Sequence, residues 1–237
     1  MNKKLSRTEA LIGADAMKKL AGSTVCIFGI GGVGSYALEA VVRAGVGTVI
    51  ITDCAVVDES NINRQLIALE STVGMQKTEV AAARIKDINP DVIVITHNIF
   101  VDESNISDVV LTDTDYILDA IDSIKSKLAI IDFAHKNDIP VLSCMGTGNK
   151  LHPEKLQVSD IFKTSVDPLA RIMRSELKKR GIKKLNVVWS DENPRLKGDQ
   201  MPENKDGKKV PASISYVPSS AGLLMASVAV SHLSGLK

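Results

Sequence analysis

The sequence predicts an α/β fold: a doubly wound, Rossmann-like sheet, parallel in its first half, with a C-terminal extension of further strands and helices. Three observations carry this. Apolar runs of strand length are continuous rather than alternating, as in strands covered on both faces. Helical patterns separate them, which is the rhythm of βα units. A glycine-rich turn at 29–34 joins the first such strand to the first long helix of the sheet.

Taken in order, residues 7–20 read as one or two short helices ahead of the sheet. Strands are expected at Thr24–Phe28, Thr48–Thr52, 92–96, 116–118 and 140–143, each rich in β-branched residues and bounded by Gly, Asp, Asn or Pro. Helices are expected between them at 33–44, 76–88 and 123–137. Past Gly146 the rhythm changes. Segments 156–158 and 187–189 read as further strands, and 167–180 as a basic helix with Pro168 in its first turn. Residues 191–211, with three prolines and two glycines, read as a long loop of the kind that is functional or disordered. Residues 214–217 then lead into an apolar helix at 219–233. No internal repeat or linker interrupts the chain, so a single domain over 1–237 is expected. Two parts are expected within it, at about 5–145 and about 146–237.

Composition narrows the class. The chain has 237 residues, 44% of them hydrophobic and 24% charged, with a net charge of +1. This excludes a disordered or collagen-like protein. Three widely spaced cysteines and no CxxC argue against a disulfide framework and a cysteine-rich zinc site. No secretory leader pattern opens the sequence, and the most apolar run, 221–230, is shorter than the roughly 20 residues that span a bilayer. A cytoplasmic protein without a membrane span is the expectation. The near-zero net charge hides an asymmetry: residues 150–210 hold fifteen Lys and Arg against nine Asp and Glu. A solvated face explains that excess, and so does a surface for a polyanion.

The first chemical motif is Gly29-Ile30-Gly31-Gly32-Val33-Gly34, between a strand and a helix. Glycines let the backbone turn tightly and approach phosphate oxygens, which then face the N-terminus of the helix. Asp53 ends the next strand, 19 residues after Gly34, where a carboxylate can accept ribose hydroxyls. These residues fit either a dinucleotide or a nucleoside triphosphate. The second motif, Asp58-Glu59-Ser60-Asn61-Ile62-Asn63-Arg64-Gln65, followed by Lys77, favours the triphosphate. Arg64 and Lys77 are the cationic clamp that a triphosphate requires, with Asn61 as a neutral donor. Individually, a helix-capping Asn and two surface cations would explain the same residues.

As a set, the glycine turn, Asp53, Asp58-x-Ser60-Asn61-x-x-Arg64-Gln65, Lys77 and Leu118-Asp119-Ala120-Ile121-Asp122 resemble the ubiquitin-activating-enzyme-like adenylyltransferases. The resemblance implies ATP and Mg²⁺ as cofactors, with Asp122 as the metal-holding and catalytic carboxylate. It implies Gly29, Gly31, Gly32, Gly34, Asp53, Asn61, Arg64 and Lys77 as the nucleotide-binding set. Arg64 and Lys77 also assist catalysis in that reading. It implies that Arg7 reaches into the site of a partner subunit, and hence a homodimer. No cysteine follows Cys144, unlike the sulfur-carrier-activating members. Instead the stretches 143–153, 161–171 and 215–218 resemble the branch that dehydrates threonylcarbamoyladenosine in tRNA. That branch implies tRNA as the partner of the basic 150–210 segment. Adenylation of a ubiquitin-like sulfur-carrier tail is the alternative, with a sulfur-transfer protein as a possible partner. Cys144 reads as a small buried residue rather than a nucleophile.

Overall fold

The structure is a computed structural model and describes residues 3–196, 198–203 and 207–236. Seven strands form one sheet in the order β3-β2-β1-β4-β5-β7-β6. Here β1 is Thr24–Phe28, β2 Thr48–Thr52, β3 Ile93–His97 and β4 Tyr116–Asp119; β5 is Val141–Cys144, β6 Leu156–Asp160 and β7 Asn186–Ser190. All neighbours pair in parallel except β6, which runs antiparallel to β7 and closes the far edge. The order reverses between β1 and β4, so a crevice opens at the carboxyl ends of these two strands, where α/β sheets bind ligands.

The helices cover both faces. Helices α1 (Ser6–Ile12) and α2 (Ala14–Ala21) precede β1; α3 is Gly34–Ala44, α4 Lys77–Ile88, α5 Ile106–Val109 and α6 Ile124–Lys136; α7 is Pro168–Lys179 and α8 Tyr216–Ser234. The central strands are buried along their whole length, β1 and β4 completely, as their unbroken apolar runs dictate. Strand β3 differs. It is the opposite edge, and it leaves Ile93 and Thr96 exposed.

Helix α8 starts three residues before the expected 219, because Pro218 is tolerated in a first turn, where no i−4 bond is lost. It is the one described helix long and apolar enough to cross a membrane by length and composition. Its composition has another explanation here. Ala221, Met225, Ala226 and Ala229 are buried in the main core together with Val41 and Val42 of α3. The approach is so close that a Cβ on Gly222 would lie 2.2 Å from the Val33 carbonyl oxygen.

Beyond β5 the fold rests on long-range polar ties. Buried Lys150 donates to the Gly146 carbonyl and pairs with Asp167 at 3.3 Å, while Asp167 caps α7 by accepting from Ala170 N–H at 2.9 Å. Glu192, also buried, accepts from the N–H groups of Leu151 and His152. Asn149, at φ +59°, exchanges hydrogen bonds with Ala212 and accepts from Arg195 N–H. Much of the expected 191–211 loop is therefore anchored at its ends; positions 197 and 204–206 lie outside the described residues. Trp189 belongs to the core and donates its indole N–H to Ser159 Oγ.

Of the three cysteines, Cys54 is exposed whereas Cys26 and Cys144 are buried. Burial raises both buried thiols, Cys144 to about 12, so neither supplies thiolate near neutral pH. At pH 8 a disulfide reagent should titrate one thiol in the native protein and all three after unfolding. Rapid reaction of two or more native thiols would contradict this burial.

Candidate functional site

The site is built on backbone contacts around the glycine turn. Gly29 has φ +84°, and its N–H donates to the Thr52 carbonyl at the end of β2. A Cβ on Gly34 would lie 1.7 Å from the Gly29 carbonyl oxygen, so only glycine lets the turn close. Helix α3 then begins without any side-chain cap. Its first-turn N–H groups and positive dipole end face the crevice, which suits a phosphate. Ser35 fastens the turn to the next loop: its hydroxyl donates to the Gly31 carbonyl at 2.6 Å and accepts from Leu66 N–H at 3.2 Å.

Asp53 sits at the end of β2 beside this turn. One carboxylate oxygen accepts from Ile30 N–H at 2.7 Å and the other from Ala55 N–H at 2.9 Å. Its orientation toward the glycine turn is thus fixed, and each oxygen retains a further lone pair for a hydroxyl.

The loop from Asp53 to α4 places the second motif over the turn. Asp58 and Asn61 form a capping box around a 3₁₀ turn, with Asn61 Oδ1 accepting from Asp58 N–H at 3.1 Å. Asn61 therefore does serve as a capping residue, and it is buried. Arg64 lies against the glycine turn: a Cβ on Gly32 would be 3.3 Å from Arg64 Cγ and 3.2 Å from Pro218. Its guanidinium donates to the Ser60 carbonyl and Asn63 Oδ1, and Asn63 donates in turn to the Ser213 carbonyl. Partial burial pushes the Arg64 pKa below its ordinary value, although the group stays charged. Lys77 opens α4, where its N–H bonds the Ala55 carbonyl, two residues beyond Asp53. It is 8% exposed, and its ammonium makes no hydrogen bond or ion pair among the described residues. A nearly buried lysine without a partner is costly to keep, which makes it a candidate anion ligand.

Asp122 follows β4, in the turn that abuts Gly29; a Cβ on that glycine would lie 2.8 Å from the Ala120 carbonyl oxygen. The side chain is exposed and has no partner among the described residues. It does not cap α6. Ser123 does, accepting from Ser126 N–H, which leaves the Asp122 carboxylate uncommitted.

The fold thus gathers Gly29, Gly31, Gly32, Gly34, Asp53, Asn61, Arg64, Lys77 and Asp122 at the carboxyl ends of β1, β2 and β4. It does not bring Arg7 to them. Arg7 is exposed on α1, two residues from Leu5, and Leu5 lies within 3.2 Å of a Cβ built on Gly45, at the C-terminal end of α3. The glycine turn is at the other end of that 11-residue helix, about 16 Å away at 1.5 Å per residue.

The site also contains a group of residues to which the motifs assign no role. Asp119, Lys127 and Ser143 form a buried network beneath the Asp122 turn. A signal was present: Lys127 directly precedes the apolar run 128–131 of α6, and a charge beside so apolar a stretch needs a partner if it is buried.

Residues 5–236 match the ThiF family. The chain is 42% identical over 229 residues to the tRNA threonylcarbamoyladenosine dehydratase of Bacillus subtilis, covering 93% of this chain and 90% of that one. The fold superposes on Escherichia coli tRNA N6-threonylcarbamoyladenosine dehydratase, TcdA, in complex with ATP, with a TM-score of 0.89 at 32% identity, covering 98% and 94% of the two chains. The AMP complex of the same enzyme gives a TM-score of 0.88 at 33% identity, covering 97% and 93%. With both halves of the chain matched and the glycine turn in its expected place, the protein belongs to the ThiF family.

Proposed function

We propose that the protein is an ATP-dependent tRNA threonylcarbamoyladenosine dehydratase. The observation that carries this reading is the extent of the likeness. It runs through the C-terminal half as well as the nucleotide-binding half, at 42% identity to an enzyme of that name. The threonyl carboxylate of the modified adenosine attacks the α-phosphorus of ATP and expels pyrophosphate. A neighbouring nucleophile of the same substituent then attacks the acyl-adenylate, closing a ring and releasing AMP. The substrate has lost the elements of water. Because the second attack is intramolecular, high effective molarity is built into the substrate and no cysteine nucleophile is needed. The work left to the protein is positioning and charge neutralisation.

Each site residue takes a role from its place. The glycine turn and the start of α3 cradle phosphate, and Asp53 accepts the ribose hydroxyls. Asn61, Arg64 and Lys77 bind the triphosphate and stabilise the departing pyrophosphate. Among the described residues no group of three or more His, Cys, Asp or Glu side chains is placed to hold a metal. A single carboxylate, that of Asp122, fits Mg²⁺, which binds through one or two carboxylates together with substrate phosphates. Asp122, exposed beside the glycine turn, would hold it, and the ion would offset phosphate charge there. Arg7, remote from its own site, serves the site of a second subunit in a homodimer. The tRNA lies along the basic 150–210 segment, where Lys155, Lys163, Arg171, Lys178, Lys183, Lys184 and Arg195 are exposed and in no ion pair among the described residues. A tRNA substrate is consistent with a cytoplasmic location.

The decisive experiment follows AMP and nucleoside mass after incubation with ATP and tRNA carrying threonylcarbamoyladenosine. AMP should form only with that tRNA, and the nucleoside should lose the mass of one water. AMP formation with a sulfur-carrier tail instead would overturn the proposal. Asp122→Asn should lower turnover by about 10² or more while ATP affinity stays within a few-fold, since charge placed at the phosphates acts mainly in the transition state.

Subunit exchange tests Arg7. Mixing inactive Arg7→Ala and Asp122→Asn proteins should restore part of the activity, because heterodimers regain one complete site. Absence of rescue would remove Arg7 from the site.

Salt dependence tests the tRNA surface. Replacing Lys178, Lys183 and Lys184 by Ala should flatten the log–log salt slope of tRNA binding by about 2–3 units, at roughly 0.7–0.9 per phosphate contact. ATP affinity should not change. An unaltered slope would show that these lysines are merely solvated.

A further inference from the structure

Beneath Asp122, Asp119 and Lys127 form an ion pair in which both side chains are 0% exposed, with Nζ 2.9 Å from Asp119 Oδ2. Asp119 ends β4, and Lys127 lies on α6. The ammonium uses all three of its donors: Asp119 Oδ2, Ser143 Oγ at 3.1 Å and the Cys144 carbonyl at 2.8 Å. Ser143 Oγ donates back to the same Asp119 oxygen at 2.5 Å. These contacts tie β4, β5 and α6 together and leave the other Asp119 oxygen free to turn outward. That oxygen accepts from Ile121 N–H at 3.2 Å, closing a turn over Ala120 directly ahead of Asp122.

The turn is held from its other side as well. Ala120 N–H donates to the Phe28 carbonyl at 2.8 Å, and its own carbonyl presses on Gly29. A buried ion pair seldom adds stability over well-packed apolar residues of similar volume, so stability does not account for this one. What it does fix is the path of the backbone from Asp119 to Asp122.

We propose that Lys127, together with Ser143, is a positioning residue. It orients the Asp119 carboxylate, which sets the 120–122 turn and so aims the Asp122 carboxylate at the nucleotide phosphates. The inference rests on the reading of Asp122 as the catalytic carboxylate. Lys127 itself touches no substrate.

The test measures kcat and the KM for ATP in tRNA-dependent AMP release, with melting temperature alongside. The variants are Ser143→Ala, Lys127→Arg and Lys127→Met, each alone and combined with Asp122→Asn. Misplacement by about 1 Å can cost on the order of 10² in rate, so Lys127→Met should lower kcat by about that factor and Ser143→Ala by less, roughly 3- to 10-fold. The KM for ATP should move less than about threefold, and Lys127→Arg, which keeps the charge, should recover most of kcat. In the Asp122→Asn background the same substitutions should cost less than about a further twofold, because the group they misplace is already lost. Should Lys127→Met not fold, Ser143→Ala, which leaves the ion pair intact, carries the test. Losses that multiply with Asp122→Asn, or that fall on KM rather than kcat, overturn the inference and leave the function of Asp122 standing. If Asp122→Asn alone turns over as wild type does, the reading of Asp122 fails, and the inference falls with it.

Discussion

Contact of backbone with backbone at the carboxyl end of β1 is the constraint on which the rest of the site depends. The turn after β1 folds onto itself so tightly that Gly34 can carry no side chain beside the Gly29 carbonyl. The turn after β4 leans on Gly29 from one side, and Pro218 at the start of α8 leans on Gly32 from another. Three segments distant in the sequence thus meet over a few ångströms because glycine leaves room for them. The same absence of side chains keeps the first N–H groups of α3 accessible to a phosphate. One feature of composition therefore supplies both the packing and the anion site, so a substitution here would damage the two together.

Around this frame the charged groups divide by whether they are already committed. Asp53 spends one lone pair of each oxygen on an N–H of its own chain, and is held in place by doing so. Lys127 has all three donors engaged and Asp119 is bonded at both oxygens, and their position is correspondingly fixed. Lys77 and Asp122 stand apart, one nearly buried and one exposed, neither with a partner among the described residues. Saturated groups hold a shape, whereas uncommitted ones are free to meet a ligand. Arg64 is intermediate, since its bonds to the Ser60 carbonyl and Asn63 leave donors over.

Much of the frame was legible because its signals are local. Continuous apolar runs marked β1, β2 and β4, and the glycine spacing marked the turn to α3. Two kinds of feature were not legible. Pairings across long sequence separations, such as Asn149 with Ala212 or Asn63 with Ser213, leave no pattern in either partner alone. Direction was also hidden, because nothing in the residues of β6 distinguishes an antiparallel edge from another parallel strand. The motif residues themselves were visible as a set, but their commitments were not. Asn61 could be named as a donor from spacing, yet its place in a capping box with Asp58 depends on the geometry of the turn. Arg7 was visible only through resemblance, and the fold shows why no local argument reaches it: α1 lies at the wrong end of α3 for its own site.

The basic excess of residues 150–210 is distributed by the fold in a way that a running count of charge conceals. Helix α7 is capped by Asp167, beside Gly146 and the end of β5, and runs back toward the start of β7. Its last turn, with Lys178 and Lys179, therefore lies at the opposite end of the sheet from the nucleotide crevice. Part of the charge there answers local needs. Cations favour the negative end of a helix dipole, Lys179 pairs with Glu176, and Arg180 pairs with Asp132 and Glu103. Lys155 and Arg195 lie at the other end, Lys155 just before β6 and Arg195 tied through its N–H to Asn149. A tRNA that delivers one nucleoside to the crevice has a backbone long enough to reach past it, so both groups can meet phosphates of a single molecule. The two ends would then do different work. If the proposed tRNA surface is right, cations near the crevice would bear on where the reacting nucleoside sits, whereas those at the far end would add affinity and salt dependence without touching the chemistry.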